Sequence, residues 1–361
     1  MNQLLRIFVI IVLPLGIVTS CVSNHKKTKV VEGNPNVILL IGDGMGVSAL
    51  SASFYYGNEI SNFLRFNEIG FINTSSKKQK ITDSAAGATA FSCGEKTYNG
   101  GLGVAADSTE IDNIVEVLSL QGYNTGVIAT SSVTHATPAG FYAHVVNRGM
   151  EEDIAKQLIE SEIDFFAGGG MNYFSNRSDS MDLYGQLHQA GFTLNTEIEN
   201  VVPDMENKYG FLLAEGGMPS ILDSRGDFLP DYTQFALDYF SQSDGNFFLM
   251  VEGSQIDWAG HGNDADYLIA EMLDFDKTVG VAMDYAELKG NTLVIVLADH
   301  ETGGFTLAPD SGDYSTIKPA FATTGHSTTL IPVFAYGPGA ENFKGIYQNN
   351  EIFHKILDLV N

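Results

Sequence analysis

Asn36-Val37-Ile38-Leu39-Leu40-Ile41 runs directly into Gly42-Asp43-Gly44-Met45-Gly46, and the reading of this junction decides the fold. A short, continuous apolar run closed by glycines fits a strand buried on both faces of a parallel sheet. The glycines permit the sharp turn that starts a helix over 47–56. Asp43 then stands at the carboxyl end of a strand, the edge at which open α/β sheets hold their ligands.

The same grammar repeats along the chain. Residues 111–121 read as an amphipathic helix stopped by Gly122, and 123–129 as a strand. A helix over 150–160 precedes a strand over 163–167 that three glycines close. A strand over 246–251 ends at Glu252-Gly253, a long helix covers 264–288, and a strand over 291–298 ends at Asp299-His300. The last strand, 330–336, ends at Gly337-Pro338. Alternating strands and helices predict a three-layer α/β sandwich, with a mostly parallel central sheet flanked by helices. Residues 175–230 are less regular and read as loops or an insertion.

Three strand ends thus carry an acid: Asp43, Glu252 and Asp299. On a parallel sheet they converge on one edge, where close carboxylates repel unless cations hold them. The histidines sharpen this. Asp257 and His261 are four apart, a spacing that puts both on one face of a helical turn. His300 follows Asp299, and His326 lies in a loop before the last strand. Imidazole mixed with carboxylate suits zinc, while carboxylate, hydroxyl and water suit magnesium. In Thr82-Asp83-Ser84-Ala85-Ala86-Gly87, small residues let a helix start close to the site, and the first turn of a helix offers N–H groups to an anion.

Composition limits the alternatives. Of 361 residues 44% are hydrophobic and 17% charged, enough for a large core. The formal net charge of −25 argues against a nucleic-acid-binding face, and it requires a local cluster of cations wherever an anion is to bind. The amino terminus reads as an export signal over 1–20. An apolar stretch after Arg6 closes on Val18-Thr19-Ser20-Cys21, which resembles a bacterial lipobox with Cys21 as the lipidated residue. A polar tether follows over 21–34, and 35–361 reads as one domain. The protein body is then exported, periplasmic or anchored at the outer membrane, touching the membrane only through the lipid. Cys93, the other of two cysteines, reads as a small core residue.

Gly42-Asp43-Gly44-Met45-Gly46, Thr82-Asp83-Ser84-Ala85-Ala86, Lys96-Thr97-Tyr98-Asn99-Gly100, His135-Ala136-Thr137-Pro138-Ala139, Val251-Glu252-Gly253, Asp257 with His261, Ala298-Asp299-His300 and Thr324-Gly325-His326 together resemble the alkaline phosphatase family, in the family's order. The resemblance implies hydrolysis of phosphate monoesters through a phosphoserine at Ser84, with two zinc ions and one magnesium. It implies one zinc on Asp257, His261 and His326, a second on Asp43, Asp299 and His300, and a magnesium on Asp43, Thr137 and Glu252. Arg148 matches the arginine that grips phosphate, for which a planar guanidinium fork is suited. Asp83, His135 and Trp258 line the site. His135 and Trp258 stand where the best-known bacterial members have aspartate and lysine, which bears on the metal held in the third site. Inorganic phosphate is the expected product and inhibitor, and family members are commonly homodimers. Sister enzymes on this fold are less consistent: a sulfatase needs a Pro-Ser-Arg-type motif that is absent around Ser84, and phosphodiesterases tend to use threonine and lack a partner for Arg148. A binding protein without turnover would be expected to have lost a ligand, and none is missing. Few arginines, 10 prolines and 38 glycines lean toward cold adaptation.

Overall fold

The computed structural model describes residues 33–360. The export signal, Cys21 and nearly all of the expected tether lie outside the described residues. The strands in chain order are β1 (Asn36–Gly42), β2 (Glu68–Asn73), β3 (Asn124–Ser132), β4 (Phe165–Gly169), β5 (Phe192–Asn195), β6 (Lys208–Leu212), β7 (Phe247–Gly253), β8 (Thr292–Leu297), β9 (Glu301–Thr302), β10 (Thr306–Asp310), β11 (Asp313–Ala320), β12 (His326–Ser327), β13 (Ile331–Tyr336) and β14 (Gly345–Gln348). The α-helices are α1 (Val47–Tyr56), α2 (Ser84–Cys93), α3 (Ile114–Ser119), α4 (Ala136–Ala139), α5 (Glu151–Glu160), α6 (Met171–Ser175), α7 (Leu183–Gln189), α8 (Phe228–Phe240), α9 (Gln255–Gly262), α10 (Ala265–Lys289) and α11 (Glu351–Val360).

Ten strands form one sheet in the order β14-β2-β13-β8-β1-β7-β3-β4-β6-β5. β1 is central and fully buried, as its unbroken apolar run requires. It pairs in parallel with β7 on one side and β8 on the other. The register places Ile41 beside both Glu252 and Leu297, so Asp43, Glu252 and Asp299 leave three adjacent strands at the same edge. That is the convergence the strand-end acids predicted. β13 is the exception to parallel pairing and runs antiparallel to both β8 and β2.

Helices cover the sheet through α8, α10 and α1, whose contacts with one another and with the central strands are extensive. Phe240 stacks on Phe247 at 5.2 Å, and Phe141 on Phe248 at 5.9 Å, so aromatic rings fill much of the layer between helix and sheet. Cys93 is a buried core residue, and burial pushes its thiol up to about 12.

Several boundaries differ from the sequence reading. The helix expected over 111–121 is confined to Ile114–Ser119, because Asn113 caps it and Glu116 bonds back to the Asn113 N–H, a reciprocal box that fixes the first turn. His326 lies in the two-residue strand β12, paired with β9, and not in a loop. β13 is not the last strand, since β14 follows it. The stretch over 175–230 contributes β5 and β6 to the main sheet and holds its irregular parts with buried ions. Arg225 is enclosed there and reaches Glu271 at 2.6 Å and Asp274 at 2.8 Å, with the Pro219 carbonyl at 3.2 Å.

Burial first, and then the charges of Glu271 and Asp227, push the Asp274 carboxyl up to about 6, against the pull of Arg225. Removing the cation would leave two buried carboxylates uncompensated. Arg225→Ala is therefore expected to cost about 3–5 kcal/mol of stability, read as a shifted urea-unfolding midpoint. A loss below about 1 kcal/mol, the scale of a surface pair, would show that the cluster does not anchor this loop.

Candidate active site

The site forms where β1, β7 and β8 end. Asp43 follows β1 and is wholly buried, and neither of its carboxylate oxygens receives a hydrogen bond among the described residues. Gly44, next to it, has φ +74, and a Cβ there would lie 2.8 Å from the Asp257 Cα. Only glycine lets the chain turn this close to α9. The Gly44 N–H donates to Asp299 Oδ1 at 3.2 Å, which ties two of the strand ends together.

α9 carries Asp257 and His261 on one face, as their spacing requires. His261 Nδ1 donates to the Thr324 carbonyl at 2.6 Å, and His326 Nδ1 to the Thr82 carbonyl at 2.8 Å. These bonds fix the tautomers and turn both Nε2 lone pairs inward. The two Nε2 atoms face each other at 3.0 Å, with Asp257 Oδ1 at 3.4 Å from one and 3.6 Å from the other. Facing lone pairs repel, and a cation between them removes the conflict.

Asp43, Asp299 and His300 form a second group, and Asp43, His135 and Glu252 a third. In each of the three, one ligand atom per residue lies within 4.8 Å of the others. Burial opposes charge on both Asp299 and His300. Their 3.1 Å contact nevertheless holds the Asp299 carboxyl below its ordinary range and the His300 imidazole above its own. Asp43 is raised well above the carboxylate range by burial, then by Asp299, Asp257 and Glu252. Burial pushes Glu252 up to about 7, although Ser254 Oγ donates to it at 2.5 Å and Ser131 Oγ at 3.2 Å. Glu252 Oε1, Thr137 Oγ1 and His135 Nδ1 are buried atoms without a hydrogen-bond partner among the described residues. Orphaned buried oxygens and a nitrogen around one point fit a cation.

Ser84 is the first residue of α2 and is buried, with Oγ 3.3 Å from His300 Nε2. Asp83 caps the helix by accepting from the Ala86 N–H at 3.0 Å, and it also accepts from the Gly100 N–H. α2 comes this near because Gly87 lies against Asp299; a Cβ there would sit 2.9 Å from the Asp299 Cβ. Arg148 reaches Asp83 at 3.3 Å and His135 Nε2 at 3.1 Å. Because guanidinium only donates, the His135 proton sits on Nδ1 in this arrangement. Burial first, then Arg148, pushes the His135 imidazole down to about 3. Trp258 packs edge-on against His135, with ring centroids 6.0 Å apart.

The side chains expected from the sequence to line the site, Asp43, Asp83, Ser84, His135, Thr137, Arg148, Glu252, Asp257, Trp258, His261, Asp299, His300 and His326, are gathered at this edge. Sequence reasoning missed Thr302, whose hydroxyl donates to Asp257 at 2.5 Å and lies 3.2 Å from His300 Nδ1, linking two of the groups. It also missed Ser131 and Ser254 under Glu252. The only signal for Thr302 was its place two residues beyond His300; a lone hydroxyl carries no pattern.

Cages of carboxylate and imidazole beside a hydroxyl at a helix start place the protein among the metal-dependent hydrolases of the α/β sandwich class. Comparison with known proteins makes this specific. The family model for alkaline phosphatase matches residues 34–318. Alkaline phosphatase 3 of Bacillus subtilis is 36% identical, with 95% of this chain and 92% of that protein covered. The structure of an alkaline phosphatase from the Antarctic bacterium TAB5 superposes with a TM-score of 0.88 at 55% identity, covering 91% of this chain and 98% of that one. A His-to-Asp mutant of the TAB5 enzyme, with magnesium bound in its M3 site, gives 0.87 at 53% identity over the same shares. A cold-active alkaline phosphatase from Shewanella sp. gives 0.83 at 30% identity, covering 90% of this chain and all of that one. The chain belongs to the alkaline phosphatase family, and it is a metal-binding hydrolase of phosphate monoesters.

The raised Glu252 and Asp43 carboxyls have a consequence in protein stripped of metal. A carboxyl whose folded pKa exceeds its unfolded value stabilises the fold below the unfolded value, and that contribution is lost as pH rises through the folded one. With Glu252 the window runs from about 4.5 to about 7. In excess chelator the melting temperature is expected to fall across that window, and added zinc and magnesium should abolish the fall. A flat or rising profile in chelator would contradict the crowding of these carboxylates.

Proposed function

We propose that Ser84 is the nucleophile and becomes phosphorylated during turnover. The observation that carries this is its position: a buried hydroxyl at the first turn of α2, 3.3 Å from His300, with Asp83 and Arg148 beside it. Two zinc ions would be held by Asp257, His261, His326 and by Asp43, Asp299, His300; a magnesium would be held by Asp43, Thr137 and Glu252. When bound, such ions lower the pKa of a hydroxyl and neutralise charge on a phosphoryl group.

The chain's own residues supply the rest. The helix start presents N–H groups to the phosphoryl oxygens. Arg148 turns its fork to the phosphate, exchanging its present partners for a charge-assisted pair. Ser84 Oγ attacks phosphorus in line as the bond to the alcohol oxygen breaks, and the Ser84 hydroxyl proton leaves with the alcohol. A water then attacks phosphorus opposite Oγ, the Oγ–P bond breaks and a proton of that water returns to Oγ, so that two inversions give retention at phosphorus. The −25 net charge is overcome locally, because Arg148 and the cations set the field at the pocket.

Residues 35–361 act as one domain in this reading. Export with a lipid on Cys21 and a homodimeric assembly remain part of it, to be read by membrane fractionation of Cys21→Ala and by sedimentation. Cold adaptation is supported by the low arginine and proline content and by the description of the Shewanella relative as cold-active. Rapid inactivation of the metallated enzyme at about 45 °C, the foot of the mesophilic range, would support it, and survival for an hour at about 65 °C would refute it.

Ser84→Ala is expected to abolish phosphoenzyme trapping and to lower kcat by roughly three orders of magnitude or more, measured with a generic phosphomonoester. Near-normal turnover would remove Ser84 from the reaction. In the third site an imidazole stands where oxygen-loving magnesium prefers carboxylate. His135→Asp should raise magnesium affinity by about an order of magnitude, read by titration calorimetry; unchanged affinity would take His135 out of that site.

A further inference from the structure

Glu151 is the first residue of α5, three positions beyond Arg148. Acids are common in a first helical turn because they complement the helix dipole, and Glu152 and Asp153 share that role here. Glu151 differs from them in what it reaches. Its Oε2 accepts from Thr134 Oγ1 at 2.8 Å and from Ser132 Oγ at 3.2 Å, and its Oε1 accepts from the Tyr173 hydroxyl at 2.8 Å.

Ser132 and Thr134 begin the segment that carries His135 and Thr137. This segment leaves β3 at an irregularity: pairing with β4 shifts register between Ile128 and Ser132. Such a break re-aims side chains beside functional sites and needs support from outside the ladder. His135 Nδ1 and Thr137 Oγ1 are buried atoms without a hydrogen-bond partner among the described residues, and the ring's one hydrogen bond there is at Nε2, to Arg148, so the backbone that carries both side chains decides where those two atoms point. The backbone of this segment is held by the Val133 N–H on the Gly169 carbonyl and by the Tyr142 hydroxyl on the Val133 carbonyl, and its side chains by the Ser132 and Thr134 hydroxyls on Glu151. The same carboxylate belongs to the turn that presents Arg148, whose backbone N–H is held by the Gly100 carbonyl at 2.8 Å. One side chain thus joins the segment of the third site to the segment of the phosphate arginine.

We propose that Glu151 is a positioning residue that holds His135 and Thr137 at the third cation site and Arg148 at the phosphate, through its hydrogen bonds to Ser132, Thr134 and Tyr173. The tie also withstands alkaline pH. Burial, and then Glu151 itself, push the Tyr173 phenol up to about 12, so it remains a donor where an exposed tyrosine would ionise. Its donors are all hydroxyls, so the tie brings no second cationic side chain to compete with Arg148 for the substrate.

The inference rests on the placement of His135 and Thr137 at the third site, and its test separates the two. Magnesium affinity is measured by calorimetry on zinc-loaded wild type, Glu151→Ala, Glu151→Gln and Tyr173→Phe, alongside zinc content, melting temperature and inhibition by inorganic phosphate. Glu151→Ala should weaken magnesium binding about tenfold, the scale for residues that orient ligands, and should weaken phosphate inhibition, with zinc content unchanged. Glu151→Gln keeps an acceptor oxygen for Ser132 and Thr134 and should recover most of the loss. Tyr173→Phe should show a smaller loss. Wild-type affinity in all three variants overturns the role of Glu151 while leaving the site assignment intact. So does a magnesium loss that merely tracks lost zinc and lowered melting temperature. Should Glu151→Ala not fold, wild-type affinity in both Thr134→Val, which removes the shorter of the two segment hydroxyl bonds to Glu151, and Tyr173→Phe overturns the proposal. If wild type itself binds no magnesium beside zinc, the site assignment fails and the proposal with it.

Discussion

Four carboxylates, Asp43, Glu252, Asp257 and Asp299, are buried together at one edge of a parallel sheet, and the rest of the site depends on how that repulsion is met. Burying one unpaired charge already costs several kcal/mol. Hydrogen bonds relieve part of it: Ser131 and Ser254 serve Glu252, Thr302 serves Asp257, and Gly44 serves Asp299. They do not reach Asp43, which lies between the other three and takes no donor. A protein stable only in this state would have replaced Asp43 with an apolar residue. Its retention at the end of the most buried strand makes sense if cations complete the structure, so that binding free energy and folding free energy are coupled.

The backbone is shaped around the same constraint. Gly44 and Gly87 both stand where a methyl group would collide, one against α9 and one against Asp299. Through them the three elements that carry Asp43, Ser84 and Asp257 approach more closely than packed side chains would allow. His261 on α9, His326 on β12 and His300 between β8 and β9 each have Nδ1 anchored to a carbonyl or hydroxyl. Rigid placement of ligands by outside hydrogen bonds is what lets a cation site keep its geometry when substrate exchanges.

How much of this was legible in the sequence follows from which interactions carry a pattern. β1, β7 and β8 were legible because strands buried on both faces are written as unbroken apolar runs, and the acids at their ends stood out against them. Asp257 and His261 were legible because helical spacing is periodic. β2 and β14, by contrast, lie at the sheet's margin with alternating exposure, and their short mixed runs resemble loops. β5 and β6 were read as loops because the segment around them is held by Arg177 and Arg225 in contacts tens of residues apart, which leave no local periodicity. Thr302, Ser131 and Glu151 were invisible for a similar reason. A single hydroxyl or carboxylate that orients another side chain has a role only in three dimensions.

His135 shows how one ring can couple two parts of such a site. A neutral imidazole has a single lone pair on nitrogen. In this arrangement Nε2 spends it on Arg148, and the proton on Nδ1 leaves that buried atom with nothing to donate to. If the ring instead gives a lone pair to a cation beside Asp43 and Glu252, the other nitrogen must carry the proton, and Arg148 cannot donate to it. The two uses exclude each other. Occupation of the third site through His135 therefore releases Arg148 from the ring, leaving Asp83 as its remaining partner and its fork free to meet a phosphate. An aspartate at the same position would not impose this choice, because a carboxylate has lone pairs enough for both. If the third site and the phosphate role of Arg148 are as proposed, the histidine makes cation binding and the readiness of that arginine two faces of one tautomeric equilibrium.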